Sequence, residues 1–548
     1  MLVRDVAFEL LRKQGLTTIF GNPGSNELPF LAGMPDDFRY VLGLHEGAVL
    51  GMADGYSQVT GGPVLVSLHA ASGTGNAMGA LTNAVYARSP LVLTAGQQVR
   101  PAIGLEALLS IADPVQLTKP LVGWAGEPAC AADVPRSLAQ AIFEARLRRR
   151  PSYLSVPYDD WTEEASPNAL ASVGRTVEVS AQPGAAQIAR IVDEVRSAQR
   201  PALVYGGDLD TAGLFDEATA LAERLGAPVW AAPSLHRLPF PNRHPQFRGV
   251  LPAGIAPVAA AFADHDLVLV LGAPVFRYHE YLPGDYLAEG TRLLQVTDDA
   301  EAAARAPFGA AVVTDPGTVI GELLKALPER PAADPGEYTV PPEPRSAADG
   351  LFGAAGVSGA AGVSGAGGAA GALHPEQVFA ALRDTQPADI SYVVESTSTN
   401  SSWWRQMDLR RGGSYYWPAS GGLGFGIPAA VGVALAQPDR PVVGVTGDGG
   451  ANYGITGLWT AAQHRLPVTF VLLRNGTYGA LQWFAGILDA ADAPGTTIPD
   501  IDYTRIAEGY GVAAVQARDA DHLRAILSQP ADGPRLVQVD TVTTSPAG

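Results

Sequence analysis

Short apolar runs bounded by glycine or proline recur along this chain, and helical stretches separate most of them. Residues 63–68, 201–205 and 441–446 are examples. A short apolar run between turn residues is typical of a buried strand. Strands that alternate with helices form parallel sheets with helices on both faces. The pattern therefore predicts an α/β protein made of doubly wound parallel sheets.

The alternation stops between residues 328 and 373, where a proline cluster gives way to a Gly/Ala/Ser tract. This composition cannot pack a hydrophobic core, so we expect a flexible linker there. At 548 residues the chain is long enough for about three domains. We expect α/β domains at residues 1–170 and 181–327 before the linker, and a third at residues 374–548 after it.

Composition narrows the possible functions. The formal net charge of −18 argues against a nucleic-acid surface. A single cysteine, Cys130, excludes an intrachain disulfide, favours a reducing cytoplasm, and is expected to be structural rather than a nucleophile. Arg4, Asp5 and Glu9 interrupt the first apolar stretch, which argues against a signal peptide. No apolar run approaches the roughly 18 residues of a membrane span.

A Gly-Asp-Gly sequence around Asp448 follows one predicted strand, and Asn475 follows the next, at residues 467–473. A helix is predicted between them, at residues 453–465. The carboxyl ends of neighbouring parallel strands meet at the ligand-binding edge of a sheet. A carboxylate, a side-chain amide and backbone carbonyls are hard oxygen ligands that suit Mg²⁺ bound to a diphosphate. The order of these elements favours such a site over two ordinary turn residues.

In the first domain, three polar residues follow three successive predicted strands, namely Ser25, Glu46 and His69. Parallel strands would bring them to one edge of the sheet. Glu46 begins a helix, where it is either a partly buried proton-transfer group or a carboxylate favoured by the helix dipole. His69, taken alone, is better explained as an ordinary hydrogen-bonded histidine than as a catalytic one.

Two further regions carry candidate chemistry. In the second domain, His279 follows a Gly-Ala-Pro loop after a predicted strand, whereas His236, His244 and His265 lie in loops and are expected at the surface. In the third domain, a glycine-rich run at residues 420–426 permits close backbone approach to a bulky ligand. An apolar and aromatic cluster near Asn475 belongs either to the core or to a pocket for an aromatic substrate; its members are Tyr478, Leu481, Trp483 and Phe484.

Longer runs of sequence identify a family. The chain resembles the thiamine-diphosphate-dependent 2-keto acid decarboxylases, and among them most closely the benzoylformate decarboxylases. The matching runs are FGNPGSNELPF at residues 20–30, LH at 68–69, GTGNAMGA at 73–80, GAPVFRYH at 272–279, ESTST at 395–399 and NGTYGAL at 475–481. The resemblance covers nearly the whole chain apart from the Gly/Ala/Ser tract. It implies pyrimidine-binding, middle and diphosphate-binding domains, in that order.

The resemblance also implies the chemistry of a lyase in mandelate degradation. Benzoylformate would lose CO₂ through a ylid and an enamine of thiamine diphosphate and leave as benzaldehyde. Mg²⁺ would be held by Asp448, Asn475 and the carbonyl of Thr477. Glu46 of a neighbouring subunit would hydrogen-bond the pyrimidine ring, and Leu423 would support the bent cofactor. Further cofactor contacts would come from Thr397, Ser398, Gly421, Gly447, Gly449 and Tyr478.

The same resemblance assigns the substrate side of the site. Ser25 would hold the substrate carboxylate, and His69 and His279 would move protons. The aryl pocket would also include Trp417, Ala480, Leu481 and Phe484. Since the site would combine two subunits, the protein is expected to be a homodimer or a dimer of dimers, that is, a homotetramer.

Several positions depart from the family pattern. Arg474 stands where an asparagine is usual, Gly450 replaces a small hydroxyl residue, and Trp417 stands in place of Phe with Pro418 after it. The second domain has no adenine-nucleotide fingerprint, so FAD is not expected. Two alternatives remain open: a carboligase, aldehyde lyase or decarboxylase of another 2-keto acid, and a non-catalytic cofactor-binding protein. The paired histidines favour decarboxylation, and Glu46 with the metal residues argues against loss of catalysis.

Overall fold

The computed structural model describes residues 1–179, 182–279, 283–332, 371–498 and 500–544. Most of the predicted linker therefore lies outside the described residues. Across the described residues the strands form three sheets of six strands each, and all their pairings are parallel. The predicted α/β class with three parallel sheets is confirmed.

The first sheet has the strand order β2-β1-β3-β4-β6-β5. Its strands are β1 (Thr18–Gly21), β2 (Arg39–Leu42), β3 (Val64–Leu68), β4 (Leu91–Gln97), β5 (Trp124–Gly126) and β6 (Ser152–Pro157). The accompanying helices are α1 (Val3–Lys13), α2 (Leu28–Leu31), α3 (Glu46–Thr60), α4 (Ala70–Tyr86), α5 (Arg100–Ile103), α6 (Pro114–Thr118) and α7 (Val134–Arg148). Because β2, β1 and β3 are neighbours, their carboxyl ends bring three loops together.

The second sheet has the order β12-β11-β10-β7-β8-β9. Its strands are β7 (Pro201–Tyr205), β8 (Val229–Ala231), β9 (Phe247–Val250), β10 (Leu267–Leu271), β11 (Arg292–Thr297) and β12 (Ala310–Val313). Its helices are α8 (Ala185–Ser197), α9 (Gly207–Thr211), α10 (Phe215–Leu225), α11 (Ile255–Ala261), α12 (Ala300–Arg305) and α13 (Pro316–Ala326). Every residue of β7 and β10 is buried, as expected for central strands covered on both faces.

The third sheet has the order β14-β13-β15-β16-β18-β17. Its strands are β13 (Ser391–Glu395), β14 (Tyr415–Tyr416), β15 (Val442–Gly447), β16 (Val468–Arg474), β17 (Ala513–Ala517) and β18 (Arg535–Asp540). The helices are α14 (Pro375–Thr385), α15 (Asn400–Gln406), α16 (Gly426–Ala436), α17 (Asp448–Gly454), α18 (Gly457–Gln463), α19 (Gly479–Ile487), α20 (Tyr503–Gly509) and α21 (Ala520–Leu527). Strands β15 and β16 pair directly, which places their carboxyl ends side by side.

Helices α3 and α16 join the first and third sheets through a close backbone contact. A Cβ at Gly55 would lie 2.4 Å from the carbonyl oxygen of Ala429, and one at Gly432 would lie 1.9 Å from that of Met52. Glycine is therefore required on both helices. Apolar residues of the two sheets form one continuous core around this contact.

One local expectation was wrong. The helix predicted at residues 453–465 is two helices: α17 begins at Asp448, directly after β15, and α18 ends at Gln463. Cys130 is exposed in the loop before a short 3₁₀ turn, and its expected non-catalytic role stays a prediction. Among the described residues, no helix is both long and apolar enough to cross a membrane.

Candidate active site

Glu46 is the first residue of α3 and is buried. Its carboxylate accepts hydrogen bonds from two side-chain amides: Asn22 Nδ2 at 3.2 Å and Asn76 Nδ2 at 3.0 Å. The first turn of α4 packs closely on it, since a Cβ at Gly73 would lie 2.9 Å from Glu46 Oε1. Glu46 is thus a buried carboxylate held by neutral side chains, without a basic partner among these contacts.

His69 lies at the end of β3 and contacts a carboxylate that the sequence analysis did not single out. His69 Nδ1 is 2.9 Å from Oε2 of Glu27, which is almost fully buried. The side chain of His69 keeps 23% of its surface exposed. Ser25 belongs to the same loop as Glu27 but is exposed, and its hydroxyl donates to Asn26 Oδ1 at 3.3 Å. The three predicted loops therefore do meet at one edge, with Glu27 between them.

Asp448 is the first residue of α17 and is buried. Its Oδ2 accepts from the backbone amides of Asn475 at 3.1 Å and Gly476 at 2.8 Å, and its Oδ1 accepts from Gly449 at 2.9 Å. Burial raises the pKa of Asp448, although these amides oppose the shift. The Asp448 carboxylate thus links the loop after β16 to the loop after β15 through hydrogen bonds.

Asn475 faces this carboxylate from the second loop. Its Oδ1 accepts from the backbone amide of Thr477 at 3.0 Å and from the Thr477 hydroxyl at 3.1 Å. The preceding Arg474 forms a two-point ion pair with Asp540 of β18, at 2.7 and 2.8 Å. Arg474 is therefore paired with the neighbouring strand, which explains why a basic residue stands where the family usually has asparagine.

A second buried carboxylate organises the glycine-rich loop before α16. Glu395 Oε1 accepts from the amide of Gly424, and Oε2 from the amide of Gly426, each at 2.6 Å. Burial raises the pKa of Glu395 to about 7, with the loop amides acting in the opposite direction. A Cβ at Gly450 would lie 2.8 Å from Glu395 Oε1. Gly450 therefore leaves room for the Glu395 carboxylate. This explains why glycine replaces the small hydroxyl residue that is usual in the family at this position.

Further predicted residues surround these two loops. A Cβ at Gly449 would lie 2.7 Å from the Tyr478 ring, so the second glycine of Gly-Asp-Gly makes room for that tyrosine. Thr397 and Ser398 form a 3₁₀ turn after β13. A Cβ at Gly479 would lie 3.1 Å from Ser398 Cβ, which puts this turn against the start of α19. Gly421, Leu423 and Gly447 lie in the adjoining loops.

His279 meets the third domain directly. Its ring stacks on that of Phe484 in α19, with centroids 4.8 Å apart. On the same helix Ala480 is half-buried and Leu481 is 51% exposed, so part of this apolar surface is open. Trp417 stacks instead on Tyr415 at 6.4 Å and packs against the core. His279 thus lies against the predicted pocket residues of α19. Trp417 instead makes its ring contact on the side that faces the hydrophobic core.

One histidine expectation was wrong. His236 is buried rather than at the surface, and burial lowers its pKa to about 3. Its backbone carbonyl accepts from the amide of Trp417, and the imidazole packs on Gly207. The loop is therefore covered by neighbouring elements, a tertiary contact that a loop sequence rich in proline does not reveal.

Sequence reasoning missed four supporting residues: Asn22, Glu27, Asn76 and Glu395. All four lie inside the runs that carry the family resemblance. The sequence alone assigns them no role, because their partners are far away in the sequence. Glu27, for example, accepts from Gly96 at 2.8 Å.

Comparison with known proteins agrees with this arrangement. Three thiamine pyrophosphate enzyme models match the chain: the N-terminal TPP binding domain at residues 1–117, the central domain at 188–323 and the C-terminal TPP binding domain at 396–540. The chain belongs to the thiamine pyrophosphate enzyme family. Membership of this family makes thiamine diphosphate its cofactor.

Individual relatives within this family are similar over the full length. The chain is 51% identical to benzoylformate decarboxylase of Pseudomonas aeruginosa, with 99% of each chain covered. A thiamine diphosphate-dependent 4-hydroxybenzoylformate decarboxylase structure from Rhodococcus jostii has a TM-score of 0.91 and 52% identity, with 99% of each chain covered. Benzoylformate decarboxylase from Polynucleobacter necessarius has a TM-score of 0.89 and 34% identity, over 99% of this chain and 98% of that one.

The residues present fit the family's cofactor. Asp448, Asn475 and Thr477 offer only hard oxygen donors, which suit a divalent cation that also binds phosphate. A cation would offset the cost of burying Asp448, whose pKa burial raises. No group of three or more His, Cys, Asp or Glu residues among the described residues could form a different metal centre. The Cβ positions of Gly421 and Gly476 are open to 4 Å, so these loops leave space for a ligand.

Proposed function

We propose that this protein catalyses the non-oxidative decarboxylation of benzoylformate to benzaldehyde and CO₂. Similarity to two named benzoylformate decarboxylases over almost the whole chain supports the substrate class. The observation that carries the proposal is the stacking of His279 on Phe484, at 4.8 Å. It joins a proton-transfer group to an aromatic surface beside the Asp448 loop, as an aryl 2-keto acid requires.

Thiamine diphosphate, when bound, supplies the electron sink that lets CO₂ leave. We propose that Asp448, Asn475 and the carbonyl of Thr477 hold Mg²⁺ and through it the diphosphate. Glu46 would hold the pyrimidine ring, and Leu423 would support the cofactor beside the glycine-rich loop. The remaining contacts are proposed for Thr397, Ser398, Gly421, Gly447, Gly449 and Tyr478.

The protein's other tasks concern substrate and protons. Ser25 would donate to the substrate carboxylate, because its hydroxyl is exposed at the edge where His69 lies. His69 and His279 would donate and accept protons at the substrate oxygen and at the carbon that becomes the aldehyde. Phe484, Leu481 and Ala480 would exclude water from the aryl ring. Trp417 would act on this pocket from the core side, through the packing of its loop.

The assembly is also part of the proposal. Glu46 and His69 belong to the first domain, whereas Asp448 and Phe484 belong to the third, and we propose that two copies join these sets into complete sites. The protein would therefore be a homodimer or a dimer of dimers. We propose domains at residues 1–170, 181–327 and 374–548, with the linker at residues 328–373. We also propose that the protein acts in the cytoplasm and takes part in mandelate degradation.

The experiment is an assay of benzaldehyde release from benzoylformate, with and without thiamine diphosphate and Mg²⁺. Pyruvate is tested in parallel, alone and together with benzaldehyde. Cofactor-dependent benzaldehyde formation with little consumption of pyruvate is the expected result. Tight cofactor binding without benzaldehyde formation would contradict the proposed substrate. Carbon–carbon coupling from pyruvate in place of decarboxylation would assign the chain to the carboligases instead.

A further inference from the structure

Glu27 occupies an unusual position beside His69. It is 4% exposed, and both of its carboxylate oxygens are fully engaged. Oε1 accepts from the backbone amides of Ala70 at 3.1 Å and Gly96 at 2.8 Å. Oε2 accepts from the amide of Gly24 at 2.9 Å and lies 2.9 Å from His69 Nδ1. The loops after β1 and β3 and the end of strand β4 at Gly96 therefore all contribute donors to one carboxylate.

Glycines line the space around Glu27 and His69. A Cβ at Gly24 would lie 1.9 Å from His69 Nδ1, and one at Gly96 would lie 2.4 Å from Glu27 Oε1. A side chain at either glycine would overlap these atoms, so the imidazole or the carboxylate would have to move. The backbone on both sides thus approaches as closely as it can, and it fixes the ring and the carboxylate relative to one another.

We propose that Glu27 is a positioning residue that sets the tautomer and orientation of His69, an inference that rests on the proposed function of the site. The backbone amides can only donate, so the carboxylate must accept at every contact. The remaining contact, at His69 Nδ1, is satisfied only when Nδ1 carries its proton. The neutral ring then has its lone pair on Nε2, which is the nitrogen left to exchange protons with the substrate.

The same geometry predicts what an amide would do. In Glu27→Gln, the amide oxygen is best placed against the two donors Ala70 and Gly96, which puts the NH₂ group against Gly24 and His69. Nδ1 of His69 must then accept, so the proton of the neutral ring moves to Nε2. The reactive nitrogen becomes a donor where it was an acceptor. A change of one atom, without loss of volume, thus reverses the role of His69.

The kinetic test is a double-mutant cycle of Glu27→Gln and His69→Ala in the cofactor-loaded enzyme. Glu27→Gln is expected to lower kcat by about 10²-fold, the usual scale for a general acid or base, with KM and cofactor affinity nearly unchanged. The double variant should be no slower than His69→Ala, because Glu27 acts through that ring. Multiplicative losses, or a wild-type rate in Glu27→Gln, would overturn the proposal. Glu217→Gln, at an exposed position of α10, is the matched control.

A spectroscopic test does not depend on turnover. In ¹⁵N-histidine-labelled protein at alkaline pH, the signals absent from His69→Ala identify His69. The expected wild-type tautomer carries its proton on Nδ1, and Glu27→Gln should show the proton on Nε2. A wild-type ring protonated on Nε2 would overturn the inference even if Glu27→Gln does not fold. Absence of benzoylformate turnover in the wild type would contradict the proposed function but leave this result readable.

Discussion

The ligand edges of the first and third sheets hold their carboxylates by different means. Asp448 and Glu395 in the third domain accept from backbone amides, at 2.6–3.1 Å. Glu46 in the first domain accepts from two asparagine side chains, at 3.0 and 3.2 Å. Backbone donors cannot rotate away, which suits groups that hold an ion or a loop. Side-chain amides can rotate and reorganise, which suits a carboxylate whose protonation must change during a reaction.

Glu27 refines this comparison because it lies in the first domain but is held like the carboxylates of the third. Three of its four donors are backbone amides. Among Glu27, Glu46, Asp448 and Glu395, the type of hydrogen-bond donor therefore does not follow the domain. Of these four carboxylates, only Glu46, which we propose for proton transfer, accepts from side-chain amides alone.

The largest effect is expected at Asp448. Asp448→Ala removes the carboxylate that we propose to bind the metal, which is also the acceptor for the amides of Asn475 and Gly476, so both loops lose their common anchor. We expect Mg²⁺-dependent affinity for thiamine diphosphate to fall by about 100-fold or more. Titration calorimetry measures it, with Asp521→Ala at a 99% exposed position as control. Unchanged affinity would place the metal elsewhere.

Glu46→Gln should separate catalysis from binding. The variant keeps the volume and one acceptor oxygen but cannot ionise, so turnover should fall by about 10²–10⁴-fold. Because the Asp448 loop is untouched, the affinity for thiamine diphosphate and Mg²⁺ should stay close to that of the wild type. Initial rates and calorimetry on the same preparation check both. A rate near the wild-type value would remove Glu46 from the proton-transfer role.

Glu395→Gln should affect the cofactor more than the rate at saturation. The amide would place an NH₂ group against a loop amide that now donates at 2.6 Å, which costs about 1–3 kcal/mol for an unsatisfied buried group. We expect cofactor affinity about ten-fold weaker, with kcat largely restored when cofactor is in excess. If kcat instead falls while affinity is kept, Glu395 acts in the chemistry and the proposed division of tasks is wrong.

Asp54, on the same helix as Glu46 but outside both carboxylate sets, should change stability alone. Burial raises the pKa of Asp54 from 3.8 to about 6, with the hydrogen bonds from Ser89 and Gln58 opposing the shift. Since the folded-state pKa is the higher one, ionisation costs stability as pH rises from about 4 to 6. Asp54→Asn should thus stabilise the apoprotein at pH 8 by about 3 kcal/mol and have little effect at pH 4. Thermal unfolding at several pH values tests this, and a stabilisation independent of pH would contradict it.

The sequence was informative where a property is local. Apolar runs such as β7 and β10 identify buried strands, and Asp448 and Asn475 were recognised because each directly follows a strand. The partners of the key residues were not accessible in this way. Glu27 meets Gly96 and Glu395 meets Gly426 only because of strand order, and His236 is buried by a packing contact between elements far apart in the chain.

We propose that Glu46 of one copy and Asp448 of another belong to the same active site. The most direct test of this proposal uses Glu46→Gln and Asp448→Ala chains carrying different tags, co-expressed and purified through both tags as mixed oligomers. If sites combine two copies, a mixed pair contains one site with both residues intact, so benzaldehyde release should rise well above that of either variant alone. Mixed oligomers no more active than the separate variants would show that each site lies within one chain and would contradict the account.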